Sequence, residues 1–340
     1  PWLRPRHPVT VNRDPAAIRF LEDANARSAT IHEKWVASNE QWWDWYLSLA
    51  HDESPPPAHP LELSPLPEPL ASPLHEIERE LDEHYPIPAA AIEQFRREGY
   101  VKLAQVCSAN SLLLLRRELA GLLAGATATP GVQFQSIEML WTMAPLSRAF
   151  VFSRRLGRIA AELLGVDAVR LYHDNVLAKL PGGGRTPWHY DAHHYPIASE
   201  AVATLWMPLQ PTPREMGPLA FARGIETWRR FASLAFSKFD DSYDRQIGET
   251  LRRDAVPVED GPFELGELSF HHTRCLHTAG PNHTTRARLA FSTTYFEDGA
   301  RLIDSPTMIS GDYEKFVQGT GPGEPIASEL NPVLYRAVSC

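Results

Sequence analysis

The chain has 340 residues, 43% of them hydrophobic, and its 33 basic and 42 acidic side chains give a formal net charge of −9. This length and composition support one large or two medium folded domains and exclude a peptide, a coiled coil or a disordered tail. A negatively charged chain has no general attraction to nucleic acid or to anionic lipid, so we expect no nucleic-acid or membrane partner.

Cysteine content and the absence of targeting signals indicate the compartment. The three cysteines are too few and too scattered for a disulfide framework. The sequence has no signal-like segment, and no apolar run reaches the roughly 18 residues that a transmembrane helix needs. We therefore expect a cytoplasmic protein.

Residues 1–85 are predicted to form a helical N-terminal extension. Asp14 and Pro15 are a favourable cap and first-turn pair, and the following run to about residue 50 contains no proline after Pro15. We expect its aromatic residues to pack against the main domain: Trp35, Trp42, Trp43, Trp45 and Tyr46. Residues 54–73 contain eight prolines and are predicted to form an extended strap.

The next segment is predicted to begin with helices and to continue in short strands. Helices are expected over 88–99, ending at Gly99, over 111–124 and over 146–164, with a strand at Tyr100–Leu103. Further strands are expected over 169–180, 188–190, 201–209, 218–222, 256–259, 266–271 and 289–296. Residues 225–255 read as a helical, charged insertion. Short strands that follow a few helices, without regular alternation, predict a mainly β fold with flanking helices, an antiparallel sandwich or barrel.

A candidate metal site stands out at Trp188-His189-Tyr190-Asp191. On a strand, His189 and Asp191 would point to the same face and could bind one ion. His-x-Asp alone is weak evidence in a chain with 14 histidines, but His277 offers a third ligand 86 residues after Asp191. Two imidazoles and one carboxylate on one side of an ion suit non-haem Fe(II), because three positions stay open for a cosubstrate and dioxygen.

Residues 86–300 resemble the phytanoyl-CoA dioxygenase family of Fe(II)/2-oxoglutarate oxygenases. The resemblance rests on ordered motifs: Gly99-Tyr100-Val101, Lys179-Leu180-Pro181-Gly182, Trp188-His189-Tyr190-Asp191, Leu205-Trp206-Met207-Pro208-Leu209, Gly217-Pro218-Leu219, Gly266-Glu267, Phe270-His271, His277-Thr278-Ala279-Gly280-Pro281-Asn282 and Arg288-Leu289-Ala290. It implies a double-stranded β-helix, the jelly-roll or cupin-like core, over 86–300, and leaves 301–340 as a C-terminal extension.

The same resemblance implies roles for six residues. His189, Asp191 and His277 would be the iron ligands and catalytic residues. Arg288 would pair with the distal carboxylate of 2-oxoglutarate, and we expect its strand to pair with that of His277. Trp206 matches a position that lines the cosubstrate pocket. Lys179 also matches a family position, although a lysine before a Pro-Gly turn is equally often solvated.

The chain departs from the family pattern at three places. Tyr190 replaces a common glutamine, which should be harmless, and residues 222–226 replace a Pro-Gly-Ser-His turn. Ala279 stands where a serine often donates to the cosubstrate, so Arg288 or another donor must compensate. Asp191 itself favours hydroxylation or another oxidative outcome, because related halogenases have a small residue there.

Other candidates are weighed against ordinary structural roles. His193 is predicted to support the ligands or to face the substrate, if it has a site role at all. His194, His271, His272 and His283 are expected to be packing or surface residues, and Cys275 a buried structural thiol. The Arg229-Arg230 and Arg252-Arg253 pairs are the candidates for phosphate recognition, but charge doublets on a helical insertion are usually solvated.

The sequence thus predicts a dioxygenase that uses Fe(II), 2-oxoglutarate and O2. It would hydroxylate an unactivated C–H bond of a small molecule, with desaturation or cyclisation as alternatives, and release succinate and CO2. We expect a specialised metabolite or an amino-acid derivative as substrate, with specificity carried by residues 222–260.

An acyl-CoA substrate is the alternative, although no dense basic patch for its phosphates is visible. A catalytically silent jelly-roll that binds a metal or ligand is the second alternative. Oligomeric state is not predicted.

Overall fold

The computed structural model describes residues 61–125, 134–234, 241–306 and 313–337. The predicted helix over residues 14–50, its aromatic side chains and the first part of the strap lie outside these ranges. Within them, no helix is both long and apolar enough to cross a membrane.

Helices cover one side of the fold. Their bounds are α1 Leu74–Asp82, α2 Ala89–Glu98, α3 Ala109–Gly125, α4 Pro145–Val151, α5 Arg154–Leu164 and α6 Ser242–Arg253. Helix α2 ends at Gly99, whose φ of +84° lies in the left-handed region that glycine adopts without strain. The single helix predicted over 146–164 is wrong: it is divided at Phe152 and Ser153, and the Ser153 hydroxyl accepts the Leu156 N–H to start α5.

The strands form two antiparallel sheets. Their bounds are β1 Tyr100–Leu103, β2 Phe134–Glu138, β3 Ala168–Lys179, β4 Thr186–His189, β5 Val202–Pro208, β6 Leu219–Ala222, β7 Val258–Glu259, β8 Leu268–His272, β9 His277–Ala279, β10 Arg288–Glu297 and β11 Val333–Arg336. The large sheet has the order β1-β8-β5-β10-β3-β11, with β2 also paired to β3. The small sheet has the order β4-β9-β6-β7.

The two sheets face each other across a buried layer. Trp206 and Ala290 from the large sheet share one apolar cluster with Leu219, Phe221 and Ala279 from the small sheet. The outer face of the large sheet packs on the helices, and the main core lies there. This arrangement confirms the predicted mainly β fold with a jelly-roll core and flanking helices.

Strand β3 shows which side chains point between the sheets. Val176 and Ala178 belong to the core on the helical side, whereas Leu177 packs in the cluster between the sheets. Because side chains alternate along a strand, Lys179, Asn175 and His173 share the inward face with Leu177. We call this the inner face of the large sheet.

Elements outside residues 86–300 also contact the core. Ile77 and Leu81 of α1 lie in the main cluster, although their helix belongs to the segment predicted as an N-terminal extension. Strand β11, from the segment 301–340, pairs with β3 through Val333 and Arg336. The large sheet therefore uses a strand beyond residue 300.

Candidate active site

The structure brings His189, Asp191 and His277 together. His189 ends β4 and lies opposite His277, the first residue of β9, in the small sheet. Each of the three residues offers one ligand atom, and these atoms all lie within 4.8 Å of one another. Asp191 Oδ1 is 3.8 Å from His189 Nε2 and 3.7 Å from His277 Nε2, and all three residues are buried.

Asp191 reaches this cluster by a route that differs from the expected one. The sequence predicted a strand through residue 190, with His189 and Asp191 on one face. Instead β4 ends at His189, and Asp191 begins a short 3₁₀ turn, Asp191–His193. The turn also removes the strand alternation that would have placed His193 beside Asp191.

Backbone carbonyls orient both imidazoles. His189 Nδ1 lies 2.8 Å from the Pro187 carbonyl oxygen, and His277 Nδ1 lies 3.0 Å from that of Cys275. A carbonyl can only accept, so each Nδ1 carries the proton and each Nε2 keeps its lone pair for a metal. The two Nε2 atoms are also the ones nearest Asp191.

Two residues hold the second oxygen of Asp191. The Thr204 hydroxyl donates to Oδ2 at 2.8 Å, and His271 Nε2 lies 3.3 Å from the same oxygen. The expectation that His271 is a packing or surface residue is therefore wrong. Its position in the Phe270-His271 motif, six residues before His277, was the available signal. Thr204 had no signal in the sequence.

The protonation states of the cluster suit metal binding. Burial lowers the pKa of His189 to about 3 and that of His277 to about 4, so both imidazoles are neutral near pH 7. Burial alone would raise the pKa of Asp191, but the neighbouring His277, His271 and His189 hold it well below its ordinary value. Two neutral imidazole nitrogens and one carboxylate oxygen form a donor set that fits Fe(II).

Arg288 and Lys179 form a buried cationic end of the inner face of the large sheet. Arg288 is the first residue of β10 and lies opposite Lys179 of β3. The expectation that the strand of Arg288 pairs with that of His277 is wrong, because β10 belongs to the large sheet and β9 to the small one. Arg288 still points inward, since it donates to the Gly217 carbonyl and lies with its guanidinium carbon 5.4 Å from the Trp206 ring centre.

Neither cation has a carboxylate partner among the described residues. Lys179 is fully buried, so it is not a solvated turn residue, and its Nζ lies 2.7 Å from the Gly280 carbonyl oxygen. Burial and the nearby Arg288 charge lower the pKa of Lys179 well below its usual value. The Nε of Arg288 and the Nε1 of Trp206 are buried donors without an acceptor in the described structure. Two buried cations and two unused donors suit an anionic ligand.

The remaining candidates do not join this cluster. Cys275 is a buried free thiol, and burial raises its pKa far above its usual value, as the sequence analysis expected for a structural cysteine. Three arginines of the two pairs form surface ion pairs: Arg229 pairs with Glu226, and Arg230 and Arg253 pair with Asp254. The fourth, Arg252, donates to the Gly248 carbonyl.

The insertion itself braces the metal-binding strand. Asp244, in the first turn of α6, accepts the Trp188 N–H at 2.7 Å and pairs with Arg185. From the same turn, Tyr243 Oη lies 3.3 Å from His193 Nδ1. Helix α6 thus contacts both the strand before His189 and the turn after Asp191.

Comparison with known proteins identifies the family. The family model for phytanoyl-CoA dioxygenase (PhyH) matches residues 95–290, more than half of the chain. The chain belongs to the phytanoyl-CoA dioxygenase family. The resemblance inferred from the motifs is thereby confirmed, and the matched region contains all the residues of the candidate site.

One curated protein of related sequence is named for its dependence on a cosubstrate. A probable alpha-ketoglutarate-dependent hypophosphite dioxygenase from Stutzerimonas stutzeri is 28% identical over 151 residues, which cover 41% of this chain. The match spans 49% of that protein, about half its length. Alpha-ketoglutarate is another name for 2-oxoglutarate.

Solved structures share the fold of this family member. The non-heme alpha ketoglutarate dependent carbocyclase SnoK from nogalamycin biosynthesis is 23% identical and superposes with a TM-score of 0.61, covering 73% of this chain and 96% of SnoK. EctD from S. alaskensis, solved with 2-oxoglutarate and 5-hydroxyectoine, is 18% identical with a TM-score of 0.58, covering 71% and 87% of the two chains.

Proposed function

We propose that the protein is a non-haem Fe(II)/2-oxoglutarate-dependent dioxygenase that oxidises a C–H bond of a small molecule. One observation carries the proposal: a buried His-Asp-His cluster lies between the same two sheets as two buried basic side chains, Arg288 and Lys179, which lack carboxylate partners among the described residues. Family membership and the 2-oxoglutarate dependence of the curated relative support it.

His189, Asp191 and His277 would hold the iron, through Nε2, Oδ1 and Nε2. Arg288 would bind the distal carboxylate of 2-oxoglutarate, because a guanidinium fork matches a carboxylate with two parallel donors. Trp206 would line the pocket. Lys179 would supply a further positive donor, which compensates for Ala279: its Nζ already lies 3.4 Å from the Ala279 carbonyl oxygen.

When bound, iron and 2-oxoglutarate together with O2 supply the oxidising chemistry, which yields succinate, CO2 and an oxidised substrate. The chain's own residues would bind the iron and the cosubstrate, orient the metal ligands and exclude water. The carbonyls of Pro187 and Cys275 keep both imidazoles in one tautomer, and Thr204 and His271 keep Asp191 aligned. The apolar layer between the sheets, which includes Phe221 and Ala290, excludes water from the site.

We propose hydroxylation as the outcome, with desaturation or ring closure as alternatives, because Asp191 supplies a carboxylate ligand. A specialised metabolite or an amino-acid derivative is the proposed substrate class. An acyl-CoA is less favoured, since three of the four arginines in the basic pairs of the insertion already pair with carboxylates. The buried unpaired thiols Cys107 and Cys275 support a reducing, cytoplasmic location. The division into residues 1–85, 86–300 and 301–340 stays a proposal.

Anaerobic titration tests this function directly. Adding 2-oxoglutarate to the Fe(II)-loaded protein should produce the weak visible charge-transfer band of a metal-bound 2-oxo acid, and admitting O2 should release succinate. His277→Ala should lose both signals, while replacement of the exposed His84 by alanine should keep them. A protein without band or succinate would be a silent jelly-roll, and unchanged succinate formation in His277→Ala would refute the ligand assignment.

A further inference from the structure

The inner face of the large sheet has a polar end opposite the cationic one. His173 and Lys179 lie six residues apart on β3, which is about 20 Å along a strand. Arg288 and Lys179 mark one end. At the other end, register places His173, Thr294, Thr204 and His271 side by side on β3, β10, β5 and β8.

This row adjoins the metal cluster. Thr204 and His271 both contact Asp191 Oδ2, and the Thr204 hydroxyl lies 3.2 Å from that of Thr294. His173 is two strands from Thr204, which is about 10 Å at ordinary strand spacing. A group bound at His173 would therefore lie beside the metal cluster, in the same row as Thr204 and six residues along β10 from the level of Arg288.

Two buried side chains at this end have unused polar atoms. His173 is 8% exposed and Asn175 is 9% exposed. Neither His173 Nδ1 nor Asn175 Oδ1 has a hydrogen-bond partner among the described residues. Buried polar atoms are normally paired, so two such atoms on one inward face indicate a missing ligand group.

The surroundings restrict the ligand that could bind there. Glu138 lies opposite Asn175 on β2 and forms an ion pair of 2.5 Å with Lys315, so these two charges offset each other. The rings of Phe316 and Tyr195 lie 4.8 and 5.6 Å from that of His173. This end of the inner face is therefore partly aromatic and equipped with hydrogen-bonding atoms, and Asp191, a proposed iron ligand, is the other charged group that acts on His173.

We propose that His173 and Asn175 form a substrate subsite that binds a hydroxyl group of a small, uncharged molecule. The hydroxyl donates to Asn175 Oδ1 and accepts a second hydrogen bond from His173, whose Nδ1 carries the proton. Phe316 and Tyr195 pack against the adjoining apolar part of the substrate. This subsite rests on the proposed oxygenase function and narrows its substrate class to neutral, hydroxyl-bearing compounds, which excludes acyl-CoA and free amino acids.

Matched pairs of compounds test the subsite in the Fe(II)-loaded, full-length protein with 2-oxoglutarate and O2. The probes are sugars, methyl glycosides, cyclic alcohols and phenols, each with its deoxy counterpart, together with acyl-CoA and amino acids. Succinate formed above the substrate-free rate reports productive binding. We expect at least one hydroxylated probe to stimulate succinate formation. Its deoxy counterpart should have a KM at least about tenfold higher, because it would leave the polar atoms of the subsite unpaired.

Two variants then test whether His173 and Asn175 cause this difference in KM. His173→Leu and Asn175→Leu should each raise the KM of the hydroxylated probe about tenfold and change that of the deoxy probe less than twofold, since the latter makes no bond to lose. His84→Leu, at an exposed site, is the matched control and should change neither value.

Several results would overturn the subsite while the oxygenase function stands. One is that the variants change the KM of the hydroxylated and the deoxy probe equally. Another is that succinate formation is stimulated by no probe, or by acyl-CoA or amino acids only. The last is that Asn175→Leu lowers only the affinity for 2-oxoglutarate. Failure of the parent protein to bind 2-oxoglutarate is a separate result, because it removes the proposed function itself.

Discussion

Asp191 divides its two carboxylate oxygens between separate tasks. Oδ1 faces the two imidazoles, while Oδ2 is held by the Thr204 hydroxyl and by His271. A carboxylate fixed through its second oxygen cannot rotate away from the metal position. Groups that orient a ligand in this way commonly affect metal affinity nearly as much as the ligands do.

Thr204→Val tests this orientation with little change in volume. We expect Fe(II) affinity to fall about 10-fold, within the range typical for such supporting residues, because Oδ2 loses its hydroxyl donor. Anaerobic Fe(II) titration gives the dissociation constant. Thr285→Val, at an exposed threonine, is the control. Equal affinities in Thr204→Val and the parent protein would show that His271 alone suffices.

Lys179→Met tests the cationic end of the inner face. The variant keeps a long apolar side chain but removes the buried amine donor, so the dissociation constant for 2-oxoglutarate should rise roughly 10- to 100-fold, as for loss of a hydrogen bond to a charged ligand group. The intensity of the charge-transfer band during titration measures this constant. Lys102→Met is the control, because Lys102 already bonds the Pro262 carbonyl at 2.6 Å. An unchanged constant would leave Arg288 as the sole anion-binding residue.

Only part of the site could be predicted from residue types. The spacing of His189, Asp191 and His277 indicated a metal site, and the motifs added Arg288, Trp206 and Lys179. His271 had a signal in the Phe270-His271 motif, but Thr204 had none, because its place beside His271 depends on the register between β5 and β8. Register is a long-range property that strand patterns do not specify.

Among the elements, helix α6 has the least expected relation to the site. The sequence predicted that residues 222–260 carry specificity, and this stays a prediction. The structure shows a contact of another kind: Asp244 holds the Trp188 N–H and Arg185, directly beside His189. The helix therefore acts as a brace for the strand that carries the first metal ligand.

Asp244→Ala should weaken metal binding without touching a ligand. The Trp188 N–H would lose its acceptor and Arg185 its partner, so we expect Fe(II) affinity to fall by about tenfold. The free energy of unfolding should also fall by about 1–3 kcal/mol, the cost of a buried donor left unpaired. Asp241→Ala is the control from the same helix end, since the described partner of Asp241 is the exposed Arg245. An Asp244→Ala protein that is destabilised but binds Fe(II) normally would limit α6 to a structural role.

Elements with strong local signals were predicted well, and those defined by tertiary contacts were not. Helix α2 and strand β1 follow directly from the apolar spacing and from Gly99. Strand β9 has only three residues and exists because β4 and β6 pair with it on both sides. Strand β11 pairs with β3 across more than 160 residues of sequence, so no local pattern could reveal it.

At the scale of the whole molecule, burial changes the titration of several histidines. In the ranges that the structure describes, five histidines are buried: His173, His189, His194, His271 and His277. His272 is partly buried and packs its ring edge-on against Phe95. Burial lowers the pKa of both His173 and His272 to about 4. In the unfolded chain both would titrate near an ordinary value of about 6.5.

The protein should therefore lose stability as the pH falls from about 6.5 to about 4, the window between the unfolded and folded histidine pKa values. In this window the unfolded chain binds protons at His173 and His272 that the folded chain does not bind. Each such proton lowers the free energy of unfolding by about 1.4 kcal/mol per pH unit. Urea unfolding of the metal-free protein at a series of pH values measures the slope.

His272→Asn isolates one of these contributions. Asparagine can keep an acceptor for the Arg274 N–H, which now lies 3.1 Å from His272 Nδ1, but it does not titrate. Burial is the main cause of the low pKa of His272; the Arg274 charge lowers it further and Glu200 opposes this. The stability curve of His272→Asn should be flatter than that of the parent by about 1.4 kcal/mol per pH unit between pH 6 and 4.5, whereas His84→Asn should run parallel to the parent. Parallel curves for His272→Asn and the parent would mean that His272 titrates alike in the folded and unfolded chain. The acid sensitivity would then have to arise from other buried histidines, such as His173.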